Sequence, residues 1–491
     1  MSGFVLAIDQ GTTNSKALLI GGDGSIAASG SAPVTIRYPQ PGWVEASGLD
    51  LWKSVEAAVS ECLSQASGAA IAAIGISNQR ESILLWDRRS GEPVGPCVIW
   101  QCRRSTDRLA QLHSPETETL VLGQTGLSLD PLFPAAKLGW LLDHLPEARP
   151  LADAGHLCAG TIDSWLLFNL TGGRSFATDA SNASRTQLFD IGRQRWSEEL
   201  CALFSVPSAI LPDVLDSDAV FGETAGGVLP AGIPIRAMIG DSHAALFGHG
   251  VRAPGTTKAT YGTGSSLMTL TDTPVVSRNG LSTTVGWRRG GAVSYALEGN
   301  ITVSGQAAAW AAKTLGLAGA EALTDLALTV PDSGGVHFVP ALAGLGAPYW
   351  DPQARGLFAG LSLSSEPEHL ARASLEAIAF QVRDVFAAIE RDLGAVMQQL
   401  SADGGASGSA FLMQTQADLL GRPVVTGSVK ELSAIGAATM AGVAAGLWDD
   451  DEAAQLFAAE QRRYEPQLSD EARRDSVEGW LDAVERARSK H

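Results

Sequence analysis

Three places in the sequence put polar or charged side chains beside glycine turns. The first is Asp9-Gln10-Gly11-Thr12-Thr13, with Lys16 close behind. Glycine lets a backbone approach an anion closely, and threonine hydroxyls and backbone N–H groups can donate to phosphate oxygens. An aspartate at the end of a strand can hold Mg²⁺ through water, and Lys16 adds positive charge. A plain hairpin turn explains the same residues. The second place is Gly262-Thr263-Gly264, which is no more specific by itself. The third, Asp403-Gly404-Gly405-Ala406, also reads as a strand-to-helix connection. The chain has no P-loop, so two such turns suggest a nucleotide clamped between hairpins, with the third turn at its adenosine end.

A second set of residues suits an alcohol. Asp241 stands where the apolar run Met238-Ile239-Gly240 stops, the place where open α/β folds keep reacting groups. A carboxylate there can take a proton from a hydroxyl, or it can cap a helix. His243 follows, with packing or capping as its simpler role. Arg80-Glu81 follows an apolar strand. A guanidinium and a carboxylate side by side can bind adjacent hydroxyls, one donating and one accepting, and a surface ion pair is the alternative. Trp100 can pack against a carbon chain or simply fill the core.

The elements that must position these residues alternate between strand and helix. Phe4–Asp9 and Ala17–Ile20 read as strands, with Gly21–Gly24 a turn after the second. The range 50–64 has helical periodicity through Leu51, Val55, Ala58 and Val59. Ile71–Ser77, Ser82–Trp86 and Cys97–Trp100 read as strands. Near residue 240 the style restarts, with strands at Ile235–Ile239, Lys258–Tyr261 and Leu267–Leu270. AIDQGTTNS at 7–15 and ATYGTGSSL at 259–267 are both strand, tight turn, strand. One such unit per half suggests two related domains, divided near 245–250 into 1–247 and 248–491. Helices are expected over 367–394, 433–446 and 451–463, with a glycine turn at 403–408. The alternation makes the fold α/β.

Composition bounds the rest. A chain of 491 residues exceeds what one core usually supports. A formal net charge of −18 repels nucleic acid and anionic lipid surfaces. The N-terminus lacks the basic, long apolar pattern of a signal peptide, and no stretch approaches the roughly 18 apolar residues of a membrane helix. The five cysteines (Cys62, Cys97, Cys102, Cys158 and Cys201) form no CxxC pair and lack a nearby histidine at zinc spacing, so reduced, buried thiols and a cytoplasmic location are expected.

Taken together, these stretches resemble the FGGY family of carbohydrate kinases, and within it the glycerol kinase branch. The similarity runs over residues 4–448 in the family's order: AIDQGTTNSKALL at 7–19, YPQPGWVEAS at 38–47, AAIGISNQRESILLWD at 72–87, VIWQCRR at 98–104, TIDSWLLFNLTGG at 161–173 and TDASNASRTQLFDI at 178–191. It continues with GDSHAALFG at 240–248, TYGTG at 260–264, YALEG at 295–299, PALAGLGAPYWDPQARG at 340–356 and ADGGASGSAFLMQTQADLLG at 402–421. The resemblance implies an actin-like ATPase fold, two ribonuclease-H-like domains flanking a catalytic cleft that holds ATP and a small polyol or sugar. It implies Asp241 as general base and Asp9 with Asp241 around Mg²⁺. Thr12, Thr13 and Lys16 would face the transferred phosphoryl group. Thr263, Gly264 and Gly305 would line the nucleotide phosphates, and Gly405 and Ser409 would border the adenosine. Arg80, Glu81, Trp100 and Ser242 would line the acceptor. A homodimer is compatible with this reading.

Three departures from the glycerol branch matter. DPLF puts Leu132 where that branch has tyrosine, Ser242 stands for glutamine, and Ser266 stands for phenylalanine. Each exchanges a large side chain for a smaller one, so the pocket is expected to be wider, suited to a four- or five-carbon polyol or ketose. Ala309 stands where the branch has glutamine and Ser409 where it has asparagine, and the glycine loop that binds a sugar bisphosphate regulator in some glycerol kinases is not visible near Gly222–Gly232. A ketose kinase of the same family is one alternative. A nucleotide-dependent interaction protein on the same scaffold, without a small substrate, is another.

Overall fold

The computed structural model describes residues 3–427, 431–457 and 461–489. Its centre is two mixed sheets built to one plan. In the first, Phe4–Gln10 pairs antiparallel with Asn14–Ile20, which pairs with Ile26–Pro33; on its other side Phe4–Gln10 runs parallel to Ile71–Asn78, which runs parallel to Pro234–Gly240. In the second, Thr256–Tyr261 pairs antiparallel with Ser265–Thr271, which pairs with Ala292–Ile301. On its other side Thr256–Tyr261 runs parallel to Gln399–Asp403, which runs parallel to Val424–Gly427. The likeness between 7–15 and 259–267 therefore marks equivalent hairpins. They differ in one detail: Gln10 opposes Ser15 with four residues between, while Tyr261 opposes Ser265 with three.

The parallel strands are apolar on both faces because helices cover both sides. Ile74, Ile76, Met238 and Ile239 are all fully buried. The helix Gly48–Ser64 packs its Leu51, Val55, Ala58 and Val59 on the first sheet, and Ser47 caps it by accepting from Asp50 N–H. Pro367–Leu393 does the same for the second half through Ala371, Ile378, Val382 and Ile389. A smaller five-stranded sheet, which includes Cys97–Val98, Ile83–Asp87 and Leu157–Thr161, is inserted in the first half. The strand Cys97–Val98 stops at Val98, so Trp100 lies in the turn beyond it and not at the strand's end as expected.

The two halves meet along a third apolar cluster that joins Ala237, Ile239 and Phe247 to Met268, Trp287 and Ile435. Its tightest crossing is between Asp241–Gly248 and Leu432–Ala444. A Cβ on Gly436 would lie 1.8 Å from the Ala244 carbonyl oxygen, so only glycine lets these helices approach so closely.

The helix expected over 451–463 is corrected. It spans Asp450–Leu456, capped by Asp449, and Gln461–Tyr464 is an edge strand antiparallel to Val424–Gly427. An open sheet edge decides that segment, a tertiary cause that local periodicity does not carry. Residues 458–460 of that range lie outside the described residues. Among the described residues no helix is long and apolar enough to cross a membrane.

Candidate active site

Both sheets point the carboxyl ends of their parallel strands into one cleft of about 1360 Å³. From the first half come Asp9, Asp241 and Ser242, with Lys16 from the opposing hairpin strand. From the second come Thr260, Asp403, Gly405 and Glu431. This is where open α/β sheets hold ligands.

Asp241 is the first residue of the helix Asp241–Gly248, with Gly240 at the cap position. The Asp241 carboxylate nonetheless bonds a first-turn amide of that helix. Its Oδ1 accepts from Ser242 N–H at 2.6 Å and lies 3.2 Å from Arg80 Nε. The side chain is 37% exposed, yet it sits deep in the molecule, because what it is exposed to is the cleft. That position pushes its carboxyl above the usual carboxylate range; Arg80 opposes the shift and Glu81 adds to it.

Asp9 faces the same space. Burial pushes it up to about 6, against a hydrogen bond from Ser77 and with repulsion from Asp241. Two carboxylates that repel each other across a polar cleft are a chemically suitable set for a divalent cation that keeps most of its ligands as water or phosphate oxygens. Among the described residues no group of three His, Cys, Asp or Glu side chains is placed to hold a metal by itself. Lys16 Nζ is 2.5 Å from Glu431 Oε2, a pair that spans the two halves.

Arg80 and Glu81 are not a surface ion pair. Both are buried, at 7% and 6% exposure. Arg80 grips Glu298 with two bonds, Nη1 to Oε2 at 3.1 Å and Nη2 to Oε1 at 2.6 Å, and donates to Ser242 Oγ at 3.2 Å. Glu81 accepts from Arg185 Nε at 2.6 Å, and Arg185 Nη1 lies 2.8 Å from Glu298 Oε2. Burial would raise the Glu298 carboxyl, but Arg185 and Arg80 outweigh it and hold it well below the ordinary range. Ser266 donates to Glu298 at 3.3 Å. Trp100 Nε1 donates to Thr12 Oγ1 at 3.0 Å and the Trp100 backbone N–H donates to Ser82 Oγ at 3.1 Å, which ties the first hairpin to the residue that follows Arg80-Glu81.

The structure places the remaining expected residues as follows. Thr13 is exposed at the hairpin tip. A Cβ on Gly264 would lie 2.4 Å from the Ile301 carbonyl oxygen, and one on Gly305 would lie 2.5 Å from that of Gly262. These two glycines thus serve protein backbone contacts rather than only making room for an anion. The Thr263 carbonyl accepts from Ser304 and Gln306 N–H. Gly405 lines the cleft, and a Cβ there would meet nothing within 4 Å. The Ser409 hydroxyl caps the helix Ala410–Leu420 by accepting from Leu412 N–H. Ala309 lies within the helix Gly305–Thr314, one residue before the half-exposed Trp310.

Sequence reasoning assigned no role to Glu298, Arg185, Glu431 or Lys258, and placed Asp403 only within the third glycine turn. Glu298 and Arg185 do stand in YALEG and TDASNASRTQLFDI, so their stretches were visible though their partnership was not. Asp403 pairs with His249 at 2.6 Å. Lys258 is fully buried, and among the described residues its ammonium donates no hydrogen bond; burial lowers its pKa while Asp403 opposes that.

The profile of the N-terminal domain of the FGGY family of carbohydrate kinases matches residues 4–248, and that of the C-terminal domain matches 257–445. The chain belongs to the FGGY family of carbohydrate kinases. An apulose kinase of Pectobacterium atrosepticum is 48% identical over 99% of this chain and 98% of its own. A glycerol kinase of Geobacter sp. (strain M21) is 46% identical over 98% of both. The crystal structure of Plasmodium falciparum glycerol kinase with ADP superposes with a TM-score of 0.95 at 30% identity, covering 100% of this chain and 99% of that one. This FGGY chain therefore has the actin-like ATPase fold, two domains flanking the cleft, and is an ATP-dependent kinase of a small polyol or sugar. Family membership sets aside the reading as an interaction protein without a small substrate.

Proposed function

We propose that the cleft transfers the γ-phosphoryl group of ATP to a primary hydroxyl of a four- or five-carbon polyol or ketose. The observation that carries this is the single cleft shared by the Asp241 carboxylate, Asp9 and Lys16. Asp241 takes the proton of the acceptor hydroxyl as its oxygen attacks phosphorus, and the raised carboxyl pKa makes it a better base than a solvated aspartate. Arg80, Glu81 and Trp100 orient the acceptor, with Arg80 immobilised by Glu298. Lys16 and the Thr12-Thr13 turn face the charge of the transferred group, and Thr263, Gly264, Gly305, Gly405 and Ser409 lie on the nucleotide side. Asp9 and Asp241 are the residues that would hold Mg²⁺, which when bound neutralises phosphate charge. Closure of the halves, divided at 247/248, excludes water that would otherwise compete with the acceptor. The five cysteines are buried and unpaired, which supports a reducing, cytoplasmic setting.

The preference for an acceptor longer than glycerol rests on Leu132, Ser242 and Ser266, where the two serine hydroxyls already bond to Arg80 and Glu298. Glycerol as acceptor is the second reading, favoured by the Geobacter relative named a glycerol kinase. ADP formation across three- to six-carbon polyols and ketoses separates them. Turnover on glycerol far above every longer acceptor removes the wider-pocket reading, and the reverse order supports it.

A further inference from the structure

Behind the acceptor wall, in the helix Pro134–His144, one lysine stands among Ala135, Ala136, Leu138 and Leu141. Lys137 is fully buried, which is rare for lysine without a paired carboxylate. Among the described residues it forms no ion pair. Its ammonium instead donates to three main-chain carbonyls: Leu132 at 2.6 Å, Trp100 at 3.1 Å and Glu81 at 3.3 Å. An ammonium has three hydrogens and no lone pair, so three carbonyls satisfy it completely.

The three acceptors come from separate segments. Glu81 and Trp100 are expected acceptor ligands, and Leu132 is one of the three pocket departures. Glu81 also has a φ of 60°, a left-handed conformation that costs a non-glycine residue about 1–3 kcal/mol and persists only where its surroundings enforce it. Lys137 donates to the carbonyl of that residue.

We propose that Lys137 is the positioning residue of the acceptor pocket: its ammonium fastens the Glu81, Trp100 and Leu132 segments into one wall and so sets acceptor affinity without touching the acceptor. This rests on the reading of Arg80, Glu81 and Trp100 as acceptor ligands. Burial lowers the Lys137 ammonium to about 7. The groups facing it are the Glu81 side chain, the thiols of Cys97 and Cys102, and the Arg103 guanidinium, and the Cys97 thiol is itself pushed up to about 12. A neutral amine has two hydrogens and a lone pair, so deprotonation leaves one of the three carbonyls without a donor. The wall therefore loosens as pH rises.

The experiment is steady-state kinetics of Lys137→Met and Lys137→Gln on the best acceptor of the panel. Loss of a hydrogen bond from a charged donor predicts an acceptor KM about 10–100-fold higher, with ATP KM and acceptor-independent ATP hydrolysis within about twofold of wild type. An unchanged acceptor KM overturns the proposal. If neither variant folds, the wild-type enzyme decides: acceptor KM rises several-fold from about pH 6 to about pH 9 while ATP KM stays flat, and a flat acceptor KM overturns the proposal. Trp100→Phe and Glu81→Gln are measured alongside. If those leave acceptor KM unchanged, the pocket reading fails and the Lys137 proposal falls with it. If they raise it and Lys137→Met does not, the Lys137 proposal alone fails.

Discussion

The hairpin of the first half, Phe4–Gln10 with Asn14–Ile20, carries its charged residues, Asp9 and Lys16, at the cleft. The matching hairpin of the second half, Thr256–Tyr261 with Ser265–Thr271, carries Lys258 two residues deeper and fully buried. Its turn is instead pressed by neighbouring backbone at Gly264, and at Gly262 by Gly305. One strand plan thus serves two uses. Of the two halves, the first carries on its hairpin groups that can exchange protons or balance charge, and the second carries on its hairpin a close-fitting frame of backbone and hydroxyls. The two are tied across the cleft by Arg80 with Glu298 and by Lys16 with Glu431.

That division can be broken from either side. The largest effect is expected for Asp241→Asn. Turnover should fall roughly 10²–10⁴-fold, the usual worth of a positioned base, with ATP affinity by calorimetry nearly intact. Retained turnover would remove the chemical role of the first half. Because the ionised carboxylate is the form that accepts a proton, kcat/KM should fall as pH drops through the Asp241 pKa. Burial raises that pKa, so the acid limb of the profile should lie above the ordinary carboxylate range.

Glu298→Gln comes next. It leaves Arg80 and Arg185 buried beside a neutral group, and removing one partner of a buried pair costs about 3–5 kcal/mol, measurable as a lower denaturation midpoint with a raised acceptor KM. Lys16→Met should act on nucleotide rather than on stability. Its pair with Glu431 is about a third exposed on each side, and such pairs contribute about 0–1 kcal/mol. Loss of a charged donor to phosphate should raise ATP KM about 10–100-fold. The smallest effect is expected for Ser409→Ala, about 1 kcal/mol for a lost helix cap, with a minor change in ATP affinity because that hydroxyl is engaged by Leu412 N–H.

Much of this was legible in the sequence because it is local. Apolar runs ending in Asp9, Arg80 and Asp241 mark strand ends, and strand ends are where this fold presents reactive groups. The repeat of strand, turn and strand at 7–15 and 259–267 marked the two equivalent hairpins. What was not legible is pairing over distance. Glu298 meets Arg80 from 218 residues away and Lys137 reaches the Glu81 carbonyl from 56, and a buried charge looks the same as an exposed one in a string of letters. The expected helix over 451–463 overruns into the strand Gln461–Tyr464 for a related reason, since that strand's partner is the sheet edge at Val424–Gly427.

The most direct measurement is a crystal structure of the enzyme with a non-hydrolysable ATP analogue and the best acceptor. A reacting hydroxyl within about 2.6–3.2 Å of an Asp241 carboxylate oxygen, with the terminal phosphate on the Lys16 side of the same cleft, is the predicted result. An acceptor bound out of reach of Asp241, or a nucleotide bound outside the cleft between the two sheets, would contradict it.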